Sequence, residues 1–153
     1  MPTPELLHAI LTATGPSGNE TEAARAWREG CSAWAAEVSV DNVGSSRARV
    51  AGIAGGPTLA IVGHIDEIGL MVSHIDDEGY LRFTQVGGWD PTILVGQRVR
   101  LMTREGPVLG VIGRKPIHLL RDEDRKQVPE TKALHIDIGA KDGDDARSRV
   151  RIG

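Results

Sequence analysis

His64 and Asp66 stand two residues apart where an apolar run, Thr58 to Val62, gives way to the segment GHIDEIGLMV. A neutral imidazole is a ligand for zinc or cobalt. A nearby carboxylate that accepts the other ring N–H fixes the tautomer and raises the basicity of the ligating nitrogen. Side chains alternate faces along a strand, so an H-x-D pair at a strand end presents both groups the same way. The carboxyl ends of the strands of an open α/β sheet are where ligand sites are built. The plain alternative is a histidine and an aspartate satisfied by backbone groups, since so short a motif recurs without function. Glu67 falls on the opposite face of a continuing strand and reads as structural.

The other reactive residue types form no comparable pattern. His74, His118 and His135 share no ligand spacing with one another or with His64, and His8 lies in the first predicted helix. Surface or packing roles suit all four. Cys31, the single cysteine, falls on an apolar helix face with no neighbouring base, so it fills core volume and forms no internal disulfide. A chain without disulfides suits a reducing compartment. Gly87-Gly88-Trp89-Asp90-Pro91 reads as a sharp loop whose tryptophan either packs inward or serves an interface. The glycines of GPSG and VGG lack the strand-to-helix spacing of a phosphate loop.

The elements that would position His64 and Asp66 follow from pattern. Thr3-Pro4-Glu5 is a helix start, with Leu6, Leu7, Ile10 and Leu11 on one face up to about Thr12. Gly15-Pro16-Ser17-Gly18 breaks the chain, and Asn19 with Glu22 predicts a capping pair for a second helix whose buried stripe is Ala23, Ala24, Trp27, Cys31 and Trp34. Val38 to Val40 and Ala48 to Ile53 read as short strands around the turn Asp41-Asn42-Val43-Gly44, and residues 52 to 57 as a loop. Thr58 to Val62 reads as a strand covered on both faces by helices, as in an α/β sheet.

Beyond Asp66 the pattern changes to alternating strands. Leu70 to Ile75 and Tyr80 to Val86 flank the turn Asp76-Asp77-Glu78-Gly79; Gln97 to Thr103 and Val108 to Gly113 flank Arg104-Glu105-Gly106; Leu134 to Ile138 adds a further strand. Such a meander closes into a small barrel. Leu120 to Lys132 is densely charged and predicts an exposed loop. Asp142 to Val150 predicts a helix capped by Asp142, with nothing left to pack against.

Composition limits the function classes. A chain of 153 residues, 40% hydrophobic and 25% charged, folds as one ordinary domain or two small pieces. A net charge of −3 without a basic stripe argues against nucleic acid. The N-terminus has no signal-peptide pattern, and no apolar run approaches the ~20 residues of a membrane span. The expectation is a cytoplasmic protein without membrane or nucleic-acid partners.

Five segments in order, TGPSGNE (14–20), GHIDEIGLMVSHIDDEGYLRF (63–83), VGGWDPTILVGQRV (86–99), KPIHLL (115–120) and HIDIGAKD (135–142), resemble the dinuclear-metal aminopeptidases of metallopeptidase family forty-two. That family includes glutamyl, deblocking and tetrahedral dodecameric enzymes. The resemblance implies an α/β catalytic domain, incomplete here, interrupted by a small all-β barrel-like assembly domain. Residues 1–68 would be the N-terminal part of the catalytic domain; residues 69–153 would be the inserted domain and the start of the return. It implies that His64 is the first metal ligand and that Asp66 supports it and counts with the catalytic residues. It also implies two divalent ions, zinc or cobalt, peptide substrates, and a homo-oligomer of dimers building to a dodecamer. The other ligands and the general base have no counterpart in this sequence, so the chain alone is expected to be inactive. The competing reading is a non-catalytic assembly or binding module of the same family. An endoglucanase ranks last, since nothing specifies two opposed carboxylates about a sugar.

Overall fold

The computed structural model describes residues 4–53 and 55–153, the side chain of Asp124 excepted. Thr3, in the predicted helix start, and Ala54, in the predicted 52–57 loop, lie outside the described residues. The chain divides into two compact units, Met1–Glu67 and Ile68–Gly153.

In the first unit, helix α1 (Glu5–Thr12) starts after Pro4 and helix α2 spans Thr21–Ser32. Ala23, Ala24 and Cys31 form the buried stripe, as the spacing predicts, with Trp27 half-buried. Trp34 lies past the end of α2 and is 56% exposed, so it leaves the stripe. The predicted Asn19–Glu22 capping pair does not form. Glu20 holds the cap position without a side-chain bond to the helix, its carboxylate accepting from the Gly18 N–H, and the Glu22 carboxylate accepts from the Thr14 backbone N–H at 3.3 Å.

Strands β1 (Glu37–Val40) and β2 (Ser46–Arg49) pair in an antiparallel hairpin. At its turn Asp41 Oδ1 accepts from the N–H groups of Val43 and Ser45 at 3.1 and 2.9 Å. This register corrects the predicted strand at 48–53: pairing Val40 with Ser46 brings Glu37 opposite Arg49, where the ladder runs out of partner. The predicted buried strand at 58–62 is also corrected. Leu59, Ile61 and Val62 are 83%, 92% and 90% exposed, and no described segment pairs with them. A strand is defined by its neighbour, and β-propensity without a partner leaves only extended chain.

The second unit is a five-stranded antiparallel sheet in the order β3-β4-β7-β6-β5, where β3 is Gly69–Ile75, β4 Leu81–Val86, β5 Arg98–Leu101, β6 Val108–Arg114 and β7 Leu134–Asp137. The ladder leaves β3 and β5 as edges, so the closed barrel expected of the meander does not form among the described residues. One face carries the core: Val72, Ile75, Leu81, Phe83, Leu101, Ile112, Leu134 and Ile136 are buried there. Val72 and Ile75 are three apart, which strict alternation would put on opposite faces. A bulge between Val72 and His74 absorbs the extra residue and brings both inward.

Two further features cover this core. Helix α3 (Pro91–Leu94), capped by Asp90 through the Thr92 N–H at 2.8 Å, buries Leu94. Trp89 packs against the core and donates its indole N–H to the Gly69 carbonyl at 2.9 Å, which resolves its two readings in favour of packing. The charged stretch 120–132 is not featureless: it holds the short helix α4 (Asp122–Arg125) and a turn of 3₁₀ helix at Thr131–Ala133.

Helix α5 (Gly143–Arg149) forms as predicted, but the expectation that it lacks a partner is wrong. Ala146 and Val150 are 0% and 5% exposed within the core. Asp142 accepts from the Asp145 N–H, Asp145 accepts from the Lys141 N–H, and acids lead while Arg147 and Arg149 close, matching the helix dipole. Two glycines let its start press on the β3–β4 turn. A Cβ on Gly143 would lie 2.5 Å from the Asp76 carbonyl oxygen; one on Gly79, at φ +90°, would lie 2.8 Å from that of Asp142.

His135 on β7 lies half-buried over Gly113, its ring 4.5 Å from that of Tyr80. A Cβ at Gly113 would stand 2.6 Å from the His135 Nε2. The His135 ring can give way there, whereas a Cβ on Gly143 meets the Asp76 backbone, so it is Gly143→Ala that should destabilise the second unit by about 1–3 kcal/mol, read as a lower urea midpoint. Burial, reinforced by the Arg82 charge, pushes the His135 pKa below its ordinary value, against the opposing pull of Asp137 and Asp76. The unfolded chain then takes up the proton first as pH falls below about 6.5. The His135 contribution should be constant above that pH and lower stability below it, and His135→Gln should flatten that acid-side slope in thermal melts.

Candidate functional site

The site is a clasp between two loops of the first unit. Residues 15–17 run beside residues 64–67, joined by a parallel bridge between Pro16 and Glu67. The Glu67 N–H donates to the Gly15 carbonyl at 2.8 Å, and the Ser17 N–H donates to the Glu67 carbonyl at 3.1 Å. The Gly15 N–H donates to Glu67 Oε1 at 3.1 Å. Glu67 is structural, as expected, though through this clasp and not as the outer face of a strand. Gly15 is required for the fit, since a Cβ there would sit 2.9 Å from that of Ala23.

Three backbone and side-chain bonds thus hold one loop against the other, and His64 and Asp66 sit at their edge. The His64 Nδ1 lies 2.9 Å from Asp66 Oδ1 and 3.0 Å from the Asp66 backbone carbonyl. Both groups are acceptors, so Nδ1 must carry the proton. The neutral ring then has its lone pair on Nε2, which no described residue engages, on a side chain 86% exposed. The second Asp66 oxygen, Oδ2, accepts from the Ser17 hydroxyl. Ser17 first, and then the His64 N–H, hold the Asp66 carboxyl below the usual carboxylate range. It is therefore ionised at neutral pH and remains an acceptor toward His64.

The structure brings His64 and Asp66 together without a strand beneath them. The shared direction expected from alternation is achieved by the direct contact between the two side chains. The chemistry of the donor set suits a divalent ion at one imidazole nitrogen only, Nε2 of His64, with Asp66 behind the ring. Among the described residues, no group of three or more His, Cys, Asp or Glu side chains is arranged to enclose an ion. His8, His74 and His118 are exposed and lie on other elements, and Cys31 is buried, its thiol pKa raised by desolvation. Pattern reading took GPSG as a chain break, set its glycines aside as a phosphate loop and gave Ser17 no role of its own; the only sequence signal was a hydroxyl between Pro16 and Gly18.

Residues 44–153 match the family model described as M42 glutamyl aminopeptidase. The lysyl aminopeptidase of Pyrococcus furiosus is 38% identical over 119 residues, which are 76% of this chain and 34% of that protein. A crystal structure of a TET aminopeptidase from a marine sediment Thaumarchaeota archaeon superposes with a TM-score of 0.90 at 40% identity, covering 97% of this chain and 42% of that one. The Pyrococcus horikoshii TET1 peptidase, described as assembling into a tetrahedron or a large octahedral shell, matches with a TM-score of 0.78 at 34% identity over 97% of this chain and 44% of that one. The chain spans 42% of the length of curated relatives that it matches over 97% of its own residues. With a family match over most of its residues and a fold shared at this level of identity, the chain belongs to the M42 family of aminopeptidases.

Proposed function

We propose that this chain is the N-terminal portion of a metal-dependent aminopeptidase that removes N-terminal amino acids from peptides. The observation that carries the reading is His64, whose Nδ1 is committed to the two acceptors of Asp66 while Nε2 is left exposed with its lone pair. Two divalent ions, zinc or cobalt, would supply an activated water and Lewis-acid polarisation of the scissile carbonyl. His64 would hold one of them through Nε2. Asp66 keeps the His64 proton on Nδ1 and stabilises the ring as a strong donor.

In this reading the first unit belongs to an α/β catalytic domain and the sheet unit is the inserted assembly domain. The exposed run at 58–62 is then a strand of the catalytic sheet awaiting its neighbours. Peptide substrates, a homo-oligomer of the tetrahedral kind and a cytoplasmic setting go with it. No helix among the described residues is long and apolar enough to cross a membrane. A second reading, a non-catalytic assembly module, has its own support: the sheet unit has a core closed by α5 without help from residues 4–67.

Activity separates the two readings. The isolated 153-residue chain should release no N-terminal amino acid from a peptide panel with zinc or cobalt added; release would contradict the requirement for further ligands. The polypeptide encoded when the reading frame is carried to its stop codon should be active, and inactivity with both metals would favour the module. In that active product His64→Ala should abolish turnover, and Asp66→Asn should cost about 10- to 100-fold in metal affinity, measured by chelator competition.

A further inference from the structure

Ser17 has no part in the chemistry proposed so far, yet its hydroxyl donates to the Asp66 oxygen that His64 leaves unused. Its own backbone N–H is pinned to the Glu67 carbonyl at 3.1 Å, so the Cα from which the hydroxyl projects is fixed relative to Asp66. The neighbouring Gly15–Glu67 pair adds bonds at 2.8 and 3.1 Å and prevents the two loops from sliding. A carboxylate held at one oxygen only can rotate about its Cβ–Cγ bond and present either oxygen, or turn to solvent. Held at both, it has one orientation.

We propose that Ser17 is a positioning residue that locks the Asp66 carboxylate and, through it, the tautomer and ring orientation of His64. The chain of donors runs one way: the Ser17 O–H to Asp66 Oδ2, and the His64 Nδ1–H to Asp66 Oδ1. Ser17 acts by holding the side-chain acceptor, which together with the Asp66 backbone carbonyl keeps the proton on Nδ1 and the lone pair on Nε2. The Ser17 hydroxyl reaches Asp66 across 49 positions because the backbone bonds of residues 15 and 17 to Glu67 hold the two loops side by side. This assignment of Ser17 rests on the proposed ligand role of His64 only for its functional meaning. The orientation itself belongs to the metal-free chain.

The test uses ¹⁵N-labelled 153-residue chain without metal, reading the His64 ring nitrogens through their two-bond couplings to the ring protons. Wild type should show a protonated Nδ1 and an unprotonated Nε2. Ser17→Ala should convert this into an exchange-averaged mixture, and Ser17→Thr, which restores the hydroxyl, should recover the single tautomer. Ser17 is exposed, and the backbone amide spectrum reports whether the alanine variant keeps the fold; if it does not, the threonine variant and the protection of the Ser17 hydroxyl proton in wild type carry the test. An unchanged His64 tautomer in folded Ser17→Ala, a wild type already protonated on Nε2, or a hydroxyl proton exchanging at the solvent rate would each overturn the assignment. Zinc added to the same samples should shift the His64 resonances with an apparent affinity about tenfold weaker in Ser17→Ala. If zinc leaves wild-type His64 untouched while the tautomer responds to Ser17, the ligand reading fails and the positioning role stands.

Discussion

The site depends on two loops distant in sequence meeting backbone to backbone. The reciprocal bonds between Gly15 and Glu67 are short and fully formed, and Gly15 is confined against Ala23 of α2. That contact carries the helical layer into register with the end of the extended segment, and everything at His64 is referenced to it. Without it, a solvent-exposed imidazole and carboxylate two residues apart would have no fixed mutual geometry. Their direct attraction is that of a surface pair, weak in water.

The sheet unit obeys a different constraint, the closure of one apolar face. Its strands are short, and five strands with a single buried face need a lid. Trp89, Leu94 of α3 and the Ala146–Val150 end of α5 provide it. The glycines at 79 and 143 matter because the lid must approach the β3–β4 turn more closely than side chains permit. Arg147 completes the attachment, donating to the Ile75 carbonyl and pairing with Asp77 and Asp144.

Where local pattern decides structure, the sequence was readable. The two N-terminal helices, the Asp41 and Asp76 turns, the strands of the meander and the Asp142 cap all follow from spacing and turn chemistry. What failed involved a partner that local pattern cannot identify. Thr58–Val62 has the composition of a buried strand but no neighbour to pair with among the described residues; α5 has a partner that looked absent because it lies some seventy residues back, at β3. Glu22 was diverted from its capping role by Thr14. At the site, His64 and Asp66 were legible as types at a spacing, with roles that the family resemblance implies. Ser17 was not, because its role arises from a contact across 49 positions.

The orientation of His64 determines whether this fold is built to hold an ion. A crystal structure with zinc of the polypeptide carried to its stop codon, with the metal located by anomalous scattering, measures it. The expected result is zinc on Nε2 of His64 at about 2.0–2.1 Å, with Asp66 retained on Nδ1. Zinc bound through Nδ1, or an ordered His64 with no metal beside it while zinc occupies other sites, would contradict it.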